Sequence, residues 1–138
     1  MSKQLFIDTG AWIALEVAND QNHSAATSFF RSRGYRYRWV TTNWILSETV
    51  TWLRRRTTHR AAVNLADRLR SSQLVTILRV DAEHEARAWD IFASYDDRDF
   101  SYVDCTSFAI MEAAGMFTAF AFDKHFRQFG FDMLPQIE

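Results

Sequence analysis

Residues Lys3–Gly10 read KQLFIDTG, a short apolar run that ends in a carboxylate, a hydroxyl and a glycine. The run is too short for a helix and is rich in large apolar residues, which predicts a buried strand. An aspartate at the carboxyl end of such a strand lies at the edge where open α/β sheets bind ligands. Near the other end of the chain, Phe120–Asp123 repeats the arrangement. Two strands that each deliver an aspartate to this edge suggest a functional site.

The composition is that of a folded domain. The chain has 138 residues, 48% hydrophobic and 15% aromatic, so we expect one domain over 1–138. The net charge of -1 neither predicts nor excludes nucleic-acid binding, because such binding depends on where the charges lie on the surface. The single cysteine, Cys105, excludes an internal disulfide. Without a signal sequence or a run of membrane-spanning length, we expect a soluble, cytoplasmic protein.

Strand-like and helix-like segments alternate along the chain. This order predicts a three-layer α/β/α domain with a mostly parallel central sheet of about five strands. After the first strand, the predicted strands are Tyr35–Val40, Leu74–Val80, Thr118–Phe122 and Phe131–Leu134. The predicted helices are Ala11–Leu15, His23–Arg33, Asn43–Arg56, His59–Arg70, one that follows Asp81 and reaches Ser94, Ser101–Ala114 and Lys124–Gln128. Thr41, Thr42 or Asn43 should cap the third of these helices, and Asp81 should cap the fifth. Gly34 should end the second helix, and Gly115 should end the sixth.

Asp8 and Asp123 each have a simpler explanation than a functional site. An aspartate that follows a strand can cap the next helix through its side chain. Asp8 precedes the first predicted helix, and Asp123 precedes the last one. Either residue alone is therefore weak evidence.

Glu48 stands out on the third predicted helix. At about 100° per residue it falls between Trp44 and Trp52, whereas Ser47 and Thr51 mark the polar side. A carboxylate among aromatic residues on a buried stripe needs a partner, because burying an unpaired charge costs several kcal/mol or forces protonation. Glu48 is therefore either a site residue or half of a buried ion pair with one of the arginines.

Asp104 lies in the first turn of a helix that is apolar on almost every side, which predicts a central, buried helix. It shares a stripe with Phe108 and Met111. Ser101, three residues earlier, gives the spacing of a capping box, so a structural role is the alternative. A carboxylate in the first turn can equally face a crevice at the edge of the sheet.

The four acids are expected to converge at one edge of the sheet, and all of them offer oxygen ligands. Carboxylates without soft ligands favour Mg²⁺ or Mn²⁺, and without a cation they would repel one another. The histidines are scattered, and we interpret them as surface residues rather than ligands. No Ser-His-Asp set, Walker loop or GxGxxG motif supports another chemistry. Metal-assisted phosphodiester hydrolysis fits best, because such ions activate water and neutralise the leaving oxygen. The acids are Asp8, Glu48, Asp104 and Asp123, and the histidines are His23, His59, His84 and His125.

The ordered motifs resemble those of the PIN-domain ribonucleases, and more narrowly of VapC, the toxin of the VapBC toxin–antitoxin pairs. The resemblance runs along the whole chain. It implies an endoribonuclease dependent on Mg²⁺ or Mn²⁺, with the same four acids as catalytic residues and metal ligands. It also implies a homodimer and an antitoxin partner that occupies the active-site groove, often through a basic side chain. The motifs that carry it are Phe6–Gly10, Ile45–Glu48, Phe100–Phe108 and Phe120–Phe126.

The resemblance implies supporting roles for three further residues. Thr9 matches a hydroxyl beside the first aspartate, and Ser101 matches a serine before the third acid. Asp99 matches an acid often found ahead of that serine, and we expect it to support the site from outside the metal-binding set.

An RNA substrate would need basic groups on its approach to the site. A basic run at a helix C-terminus has a simpler explanation, however, because it complements the helix dipole. Tryptophans could stack on bases or bury an antitoxin helix, or they could belong to the core. The candidate arginines are Arg36, Arg38, Arg54, Arg55, Arg56 and Arg60, and the tryptophans are Trp12, Trp44 and Trp52.

Two other interpretations remain open. A non-catalytic PIN-like module would keep the fold and bind RNA or protein, although binding alone has no use for four uncompensated carboxylates. A phosphatase or phosphate-signalling domain would use Asp8 as its nucleophile. That chemistry favours a second aspartate shortly after the first, where this chain has Gly10.

Overall fold

The computed structural model describes residues 3–136, so the ends of the predicted domain, 1–2 and 137–138, lie outside the described residues. A parallel sheet forms its centre. The strands are β1 (Gln4–Ile7), β2 (Arg38–Thr42), β3 (Val75–Leu78), β4 (Thr118–Phe120) and β5 (Asp132–Leu134). Their order across the sheet is β3-β2-β1-β4-β5, and every neighbouring pair is parallel. The predicted parallel sheet is confirmed, with β1 at its middle.

Helices flank the sheet and complete the predicted α/β/α architecture. None of the helices within residues 3–136 is both long and apolar enough to cross a membrane. The α-helices are α1 (Thr9–Glu16), α2 (His23–Ser32), α3 (Asn43–Arg56), α4 (His59–Ser71), α5 (Ala82–Ser94), α6 (Tyr102–Ala114) and α7 (His125–Phe129).

Local capping signals set several helix boundaries correctly, whereas α1 begins at Thr9 instead of Ala11 and α7 spans His125–Phe129 instead of Lys124–Gln128. The Thr42 hydroxyl caps α3 by accepting a hydrogen bond from the Ile45 backbone N–H at 3.0 Å, which selects one of the three predicted caps. Asp81 caps α5 as predicted. Gly115 ends α6 in the left-handed conformation, with φ of 69°. These ends were predictable because each depends on one side chain or one glycine near the helix terminus.

The second strand begins later than predicted. Gly34–Arg36 form a turn of 3₁₀ helix, so β2 begins at Arg38 instead of Tyr35. Residues 35–40 alternate aromatic and basic side chains, a pattern typical of a strand with one buried and one solvent-facing side. In the structure, however, the four residues that follow Arg38 in β2 are all buried. An interior strand of a parallel sheet is covered on both faces, which removes the alternation.

Gly34 directly follows Arg33, the C-cap residue of α2, as predicted, but it does not have the positive φ that is common at this position. Among the described residues, the glycines with positive φ are Gly115 and Gly130. At Gly34 a Cβ atom would lie 3.1 Å from the Phe29 ring. The close approach of that ring explains the glycine.

Three other strands are shorter than predicted, among them β5, which begins at Asp132 instead of Phe131. β3 spans Val75–Leu78 instead of Leu74–Val80, and β4 ends at Phe120 instead of Phe122. Leu74 is 83% exposed, so its apolar side chain made the strand look longer without belonging to the core.

The core packs around β1 and α6, as their apolar sequences predicted. Leu5, Phe6 and Ile7 of β1 are fully buried. Phe108 of α6 is also fully buried and stacks on Phe129 with ring centroids 4.6 Å apart. Beyond the end of β1, the Asp8 backbone N–H donates to the Phe120 carbonyl at 3.1 Å. This bond fixes the first aspartate beside the end of β4.

Replacing Gly115 by alanine should destabilise the protein by about 1 kcal/mol, because alanine is disfavoured in the left-handed conformation. A Cβ at Gly115 would meet no atom within 4 Å, so the cost comes from the backbone alone. Gly10→Ala is the matched control. It also has open space for a Cβ, has no positive φ, and lies within α1.

Urea unfolding measures both variants. The control should equal the native chain or exceed it by up to about 1 kcal/mol, because alanine favours helix more than glycine does. Equal stability of Gly115→Ala and the native chain would contradict the left-handed assignment.

Candidate active site

Asp8 occupies the N-cap position of α1, yet its side chain makes no capping hydrogen bond. Its side chain is buried, with 7% of the residue exposed. Burial raises the pKa of Asp8 well above its ordinary value, and the charge of Asp104 adds to this effect. The Thr9 backbone N–H partly offsets the rise, while the charges of Glu48 and Asp123 act in the same direction as burial. Capping therefore does not explain Asp8, and the charges of three other acids act on it.

Asp104 serves both as a helix cap partner and as part of this cluster. The Ser101 hydroxyl accepts from the Asp104 backbone N–H, and the Ser101 N–H donates to Asp104 Oδ2, both at 3.0 Å. The predicted capping box is therefore confirmed. The same Oδ2 lies 2.9 Å from His125 Nδ1. Burial is the main reason that the pKa of Asp104 is raised, and the hydrogen bonds from Ser101 and His125 act against it.

His125 joins the third and fourth acids, and sequence reasoning missed it. Its Nδ1 lies 3.0 Å from Asp123 Oδ1, which also accepts the His125 backbone N–H at 2.9 Å. Asp123 thus also holds the backbone at the start of α7, a role close to the helix capping that the sequence suggested for it. Ligand atoms of Asp104, Asp123 and His125 all lie within 4.8 Å of one another. The interpretation of His125 as a surface residue is wrong, because its side chain is largely buried, with only 14% exposed.

A sequence signal for His125 was present but was not used. His125 follows Asp123 by two positions, just after the strand end that the motif Phe120–Asp123 marks. The other histidines lie elsewhere. His23 Nδ1 is 2.7 Å from the Ala14 carbonyl oxygen, His84 completes the capping box of α5, and His59 is exposed.

Glu48 reaches the cluster from the exposed side of α3. The buried stripe of this helix consists of Ile45, Thr49 and Leu53, so the predicted inward position of Glu48 is wrong. Within residues 3–136 no salt bridge joins Glu48 to an arginine, which also removes the buried ion pair. The Thr9 hydroxyl instead donates to Glu48 Oε1. Through this hydrogen bond, α3 is tied to the residue that follows Asp8.

The donor set fits a hard divalent cation. The charges of Asp104, Glu48 and Asp123 all raise the pKa of the buried Asp8. Among the described residues, the ligand atoms close enough together to share an ion belong to Asp104, Asp123 and His125. Across the described part of the chain, the salt bridges of Asp104 and Asp123 are with His125. Burial raises the pKa of the neighbouring Cys105 thiol to about 11, so it offers no thiolate. Oxygen-rich sites of this kind suit Mg²⁺ or Mn²⁺.

The basic candidates divide into two groups. Arg38 pairs in register with Gln4 at the start of β1, whereas Asp8 follows the end of that strand. Arg38 and the nearby Arg36 therefore lie at the N-terminal ends of the parallel strands, and Asp8 lies at their C-terminal ends. At about 3.3 Å per residue, the separation along the strand is roughly 13 Å. Arg55 and Arg56 instead line a groove that also contains Glu48.

The remaining predicted residues have varied positions. Thr9 contacts Glu48, and Ser101 contacts Asp104. Asp99 is exposed in the loop before α6 and makes no side-chain hydrogen bond with the described residues. Arg54 and Arg60 are also exposed. Trp12 is in the core, with its indole N–H 3.3 Å from the Thr41 hydroxyl, whereas Trp44 and Trp52 are half-buried.

Comparison with known proteins gives consistent results. The PIN domain family model matches residues 5–132. The chain is 41% identical over 127 residues to the 23S rRNA-specific endonuclease VapC20 of Mycobacterium tuberculosis, covering 92% of this chain and 95% of that protein. The crystal structure of VapC20, described as a Sarcin-Ricin loop cleaving toxin, has a TM-score of 0.86 at 40% identity, covering 92% of this chain and 95% of that one.

More distant solved structures share the fold. FitAcB from Neisseria gonorrhoeae has a TM-score of 0.71 at 14% identity, covering 94% of this chain and 95% of that one. The DNA-bound VapBC of Salmonella typhimurium has a TM-score of 0.62 at 14% identity, covering 96% and 97%. The resemblance drawn from the sequence motifs is therefore confirmed: the chain belongs to the PIN-domain family, and within it the chain is VapC-like.

Proposed function

We propose that this chain is a metal-dependent endoribonuclease that hydrolyses RNA phosphodiester bonds as the toxin of a type II toxin–antitoxin pair. The buried Asp8 carboxylate carries the proposal, because burial and three neighbouring acids oppose its charge. Folding gains nothing from such a group, whereas a bound cation would stabilise it. The likeness to an endonuclease specific for 23S rRNA supports RNA as the substrate class and ribosomal RNA as the first RNA to test.

Asp8, Asp104 and Asp123 would hold Mg²⁺ or Mn²⁺, with Glu48 at the exposed side. When bound, the cation supplies positive charge for the phosphate oxygens and favours ionisation of water. The Thr9 hydroxyl holds one Glu48 oxygen, which leaves the other to accept a proton from the attacking water. His125, between Asp104 and Asp123, holds both carboxylates in position. Asp99, in the exposed loop before α6, would act only indirectly.

The partners follow from the same family relation. We propose a cognate antitoxin, supported by the toxin–antitoxin complexes among the solved neighbours. A homodimer and a cytoplasmic location are part of this proposal. Arg36 and Arg38 are not included among the RNA contacts, because they lie at the far edge of the sheet from the acids.

Asp8→Asn and Asp104→Asn should each reduce cleavage of ribosomal RNA by at least about 100-fold, because losing one carboxylate weakens the stabilisation of transition-state charge by several kcal/mol. Cleavage is followed by gel electrophoresis, and circular dichroism checks that each variant is folded. Asp97→Asn is the matched control, since the Asp97 side chain is 69% exposed and pairs with Arg98, and Asp97 is not among the charges that act on Asp8.

The control should cleave RNA at the native rate. Native activity in either site variant would remove the proposed role of the acids. Tight RNA binding without any cleavage by the unmutated chain would instead favour the non-catalytic PIN-like module.

Chelation should stop cleavage, and added Mg²⁺ or Mn²⁺ should restore it, because the proposed reaction needs the cation. The rate of RNA cleavage is measured in EDTA and then after titration with each ion. Ca²⁺ serves as a control for a divalent charge with a larger radius. Cleavage that persists in EDTA after exhaustive dialysis would contradict metal dependence.

Asp8→Asn should stabilise the metal-free protein at neutral pH. The folded state raises the pKa of Asp8, so folding favours its protonated form. The stability that this group contributes is therefore full below the unfolded pKa of about 3.9 and is lost as the pH rises through the folded value. Asparagine mimics the protonated form and removes that loss.

Thermal unfolding in EDTA tests this expectation. At neutral pH the variant should melt at a higher temperature than the native chain. The difference should shrink as the pH falls towards the pKa of an aspartate in the unfolded chain, about 3.9. Saturating Mn²⁺ should raise the melting temperature of the native chain more than that of the variant. A variant that melts lower in EDTA at neutral pH would show that Asp8 is not under electrostatic strain.

A further inference from the structure

A groove of about 710 Å³ follows the exposed side of α3 from Asn43 to Arg56, with Glu48 between these two ends. Trp44 and Trp52 line it from α3, and Val103 lines it from α6. Arg55 and Arg56 lie at the far end. The groove therefore includes one of the four acids, Glu48, is lined by two aromatic side chains of α3, and is basic at one end.

We propose that this groove binds a short single-stranded stretch of RNA next to the phosphate that is cleaved. Bases would stack on Trp44 and Trp52, and phosphates would bind Arg55 and Arg56. The inference rests on the proposed nuclease function and adds the subsite through which the substrate is held.

Electrostatics require such a subsite. Asp8 and the three carboxylates around it repel the polyanionic RNA backbone, so affinity has to come from groups outside the cluster. No salt bridge within residues 3–136 involves Arg55 or Arg56, and both side chains are exposed. Their guanidinium groups are thus available to bind phosphate, for which their planar donors are suited.

The spacing along α3 fits a short RNA segment. Arg55 and Arg56 follow Glu48 by seven and eight residues, which corresponds to about 10–12 Å along a helix that rises 1.5 Å per residue. Stacked nucleotides repeat at about 3.4 Å, so this length matches roughly three of them. One continuous strand can therefore place one phosphate at the acids and another at the arginines.

The two indoles flank Glu48 along α3: Trp52 lies between Glu48 and the arginines, and Trp44 lies on the other side of Glu48. Trp44 precedes Glu48 by four residues and Trp52 follows it by four, so all three share one face of α3. Unlike Trp12 in the core, both indoles are half-buried. Trp44 packs edge-on against Tyr102 with centroids 5.5 Å apart, and the Arg56 guanidinium lies 5.9 Å from the Trp52 ring centroid. Each ring is held by a neighbour while it still lines the groove.

The mixture of groups favours RNA over a peptide helix as the occupant. An amphipathic helix binds best in a broad aliphatic groove. This groove offers flat aromatic rings and two cations, and single-stranded nucleic acids are held by that combination. The dipole of α3 explains why cations are tolerated at its end, but it does not explain the two indoles beside them.

Fluorescence anisotropy with a labelled 2′-O-methyl RNA oligonucleotide, in EDTA, tests the proposal without requiring cleavage. The Arg55→Ala/Arg56→Ala double variant should weaken binding about tenfold or more. Its plot of log affinity against log salt should be less steep by roughly 1.4, for two lost phosphate contacts at about 0.7 each. Trp52→Ala should weaken binding about tenfold with an unchanged salt slope, because stacking involves no counterion release.

The matched control is Arg36→Ala/Arg38→Ala, which removes the same two charges from the opposite edge of the sheet. Its affinity and salt slope should stay close to those of the native chain. In cleavage assays with Mn²⁺, the groove variants should raise KM and leave kcat unchanged at saturating RNA, because they do not touch the reacting phosphate.

The two proposals fail in different ways. If the native chain cleaves RNA and the groove variants keep the native Kd and KM, the RNA subsite is wrong and the nuclease function stands. The groove would then be better explained as a binding site for a protein partner. A native chain that never cleaves would overturn the nuclease. The anisotropy measurement would still decide the groove, since equal weakening by the control pair would show that binding follows total charge alone.

Discussion

The structure depends on the crowding of negative charge around one buried carboxylate. Asp8 is held at the end of the central strand by its backbone hydrogen bond to Phe120, and its side chain caps nothing. Three other acids raise its pKa in addition to the effect of burial. A folded chain retains such an arrangement only where the cost is offset, and a bound cation would offset it.

The surrounding elements serve to bring the other charges to this point. Parallel pairing of β1 with β4 brings the two strand ends together, and with them Asp8 and Asp123. Asp104 then enters from the first turn of α6, where the capping box fixes one of its oxygens. One side chain thus both starts a central helix and contributes to the site. For that reason the structural and functional explanations of Asp104 are compatible.

Much of this arrangement could be predicted from the sequence because its signals are local. Short apolar runs that stop at an aspartate identified β1 and β4, and the nearly uniform apolarity of α6 identified a central helix. Thr42 and Gly115 marked helix ends through chemistry that involves only a few neighbouring residues. The fold class followed from the alternation of these segments.

The features that were predicted wrongly depend on tertiary context. Glu48 was assigned to the buried side of α3 because tryptophans flank it, but half-buried indoles line a groove as well as a core. His125 was overlooked because its role depends on α7 folding back against Asp104, and no helical period encodes that contact. The start of β2 was misplaced because Gly34–Arg36 form a 3₁₀ turn, which the alternating pattern of side chains does not reveal.

The most direct test is the location of manganese by anomalous X-ray scattering from crystals grown with Mn²⁺. We expect an anomalous peak within coordinating distance of carboxylate oxygens of Asp8, Asp104 and Asp123, at about 2.0–2.3 Å as for other small divalent ions. The account would be contradicted if saturating Mn²⁺ gave no peak at these residues, or bound only at a site that does not touch Asp8.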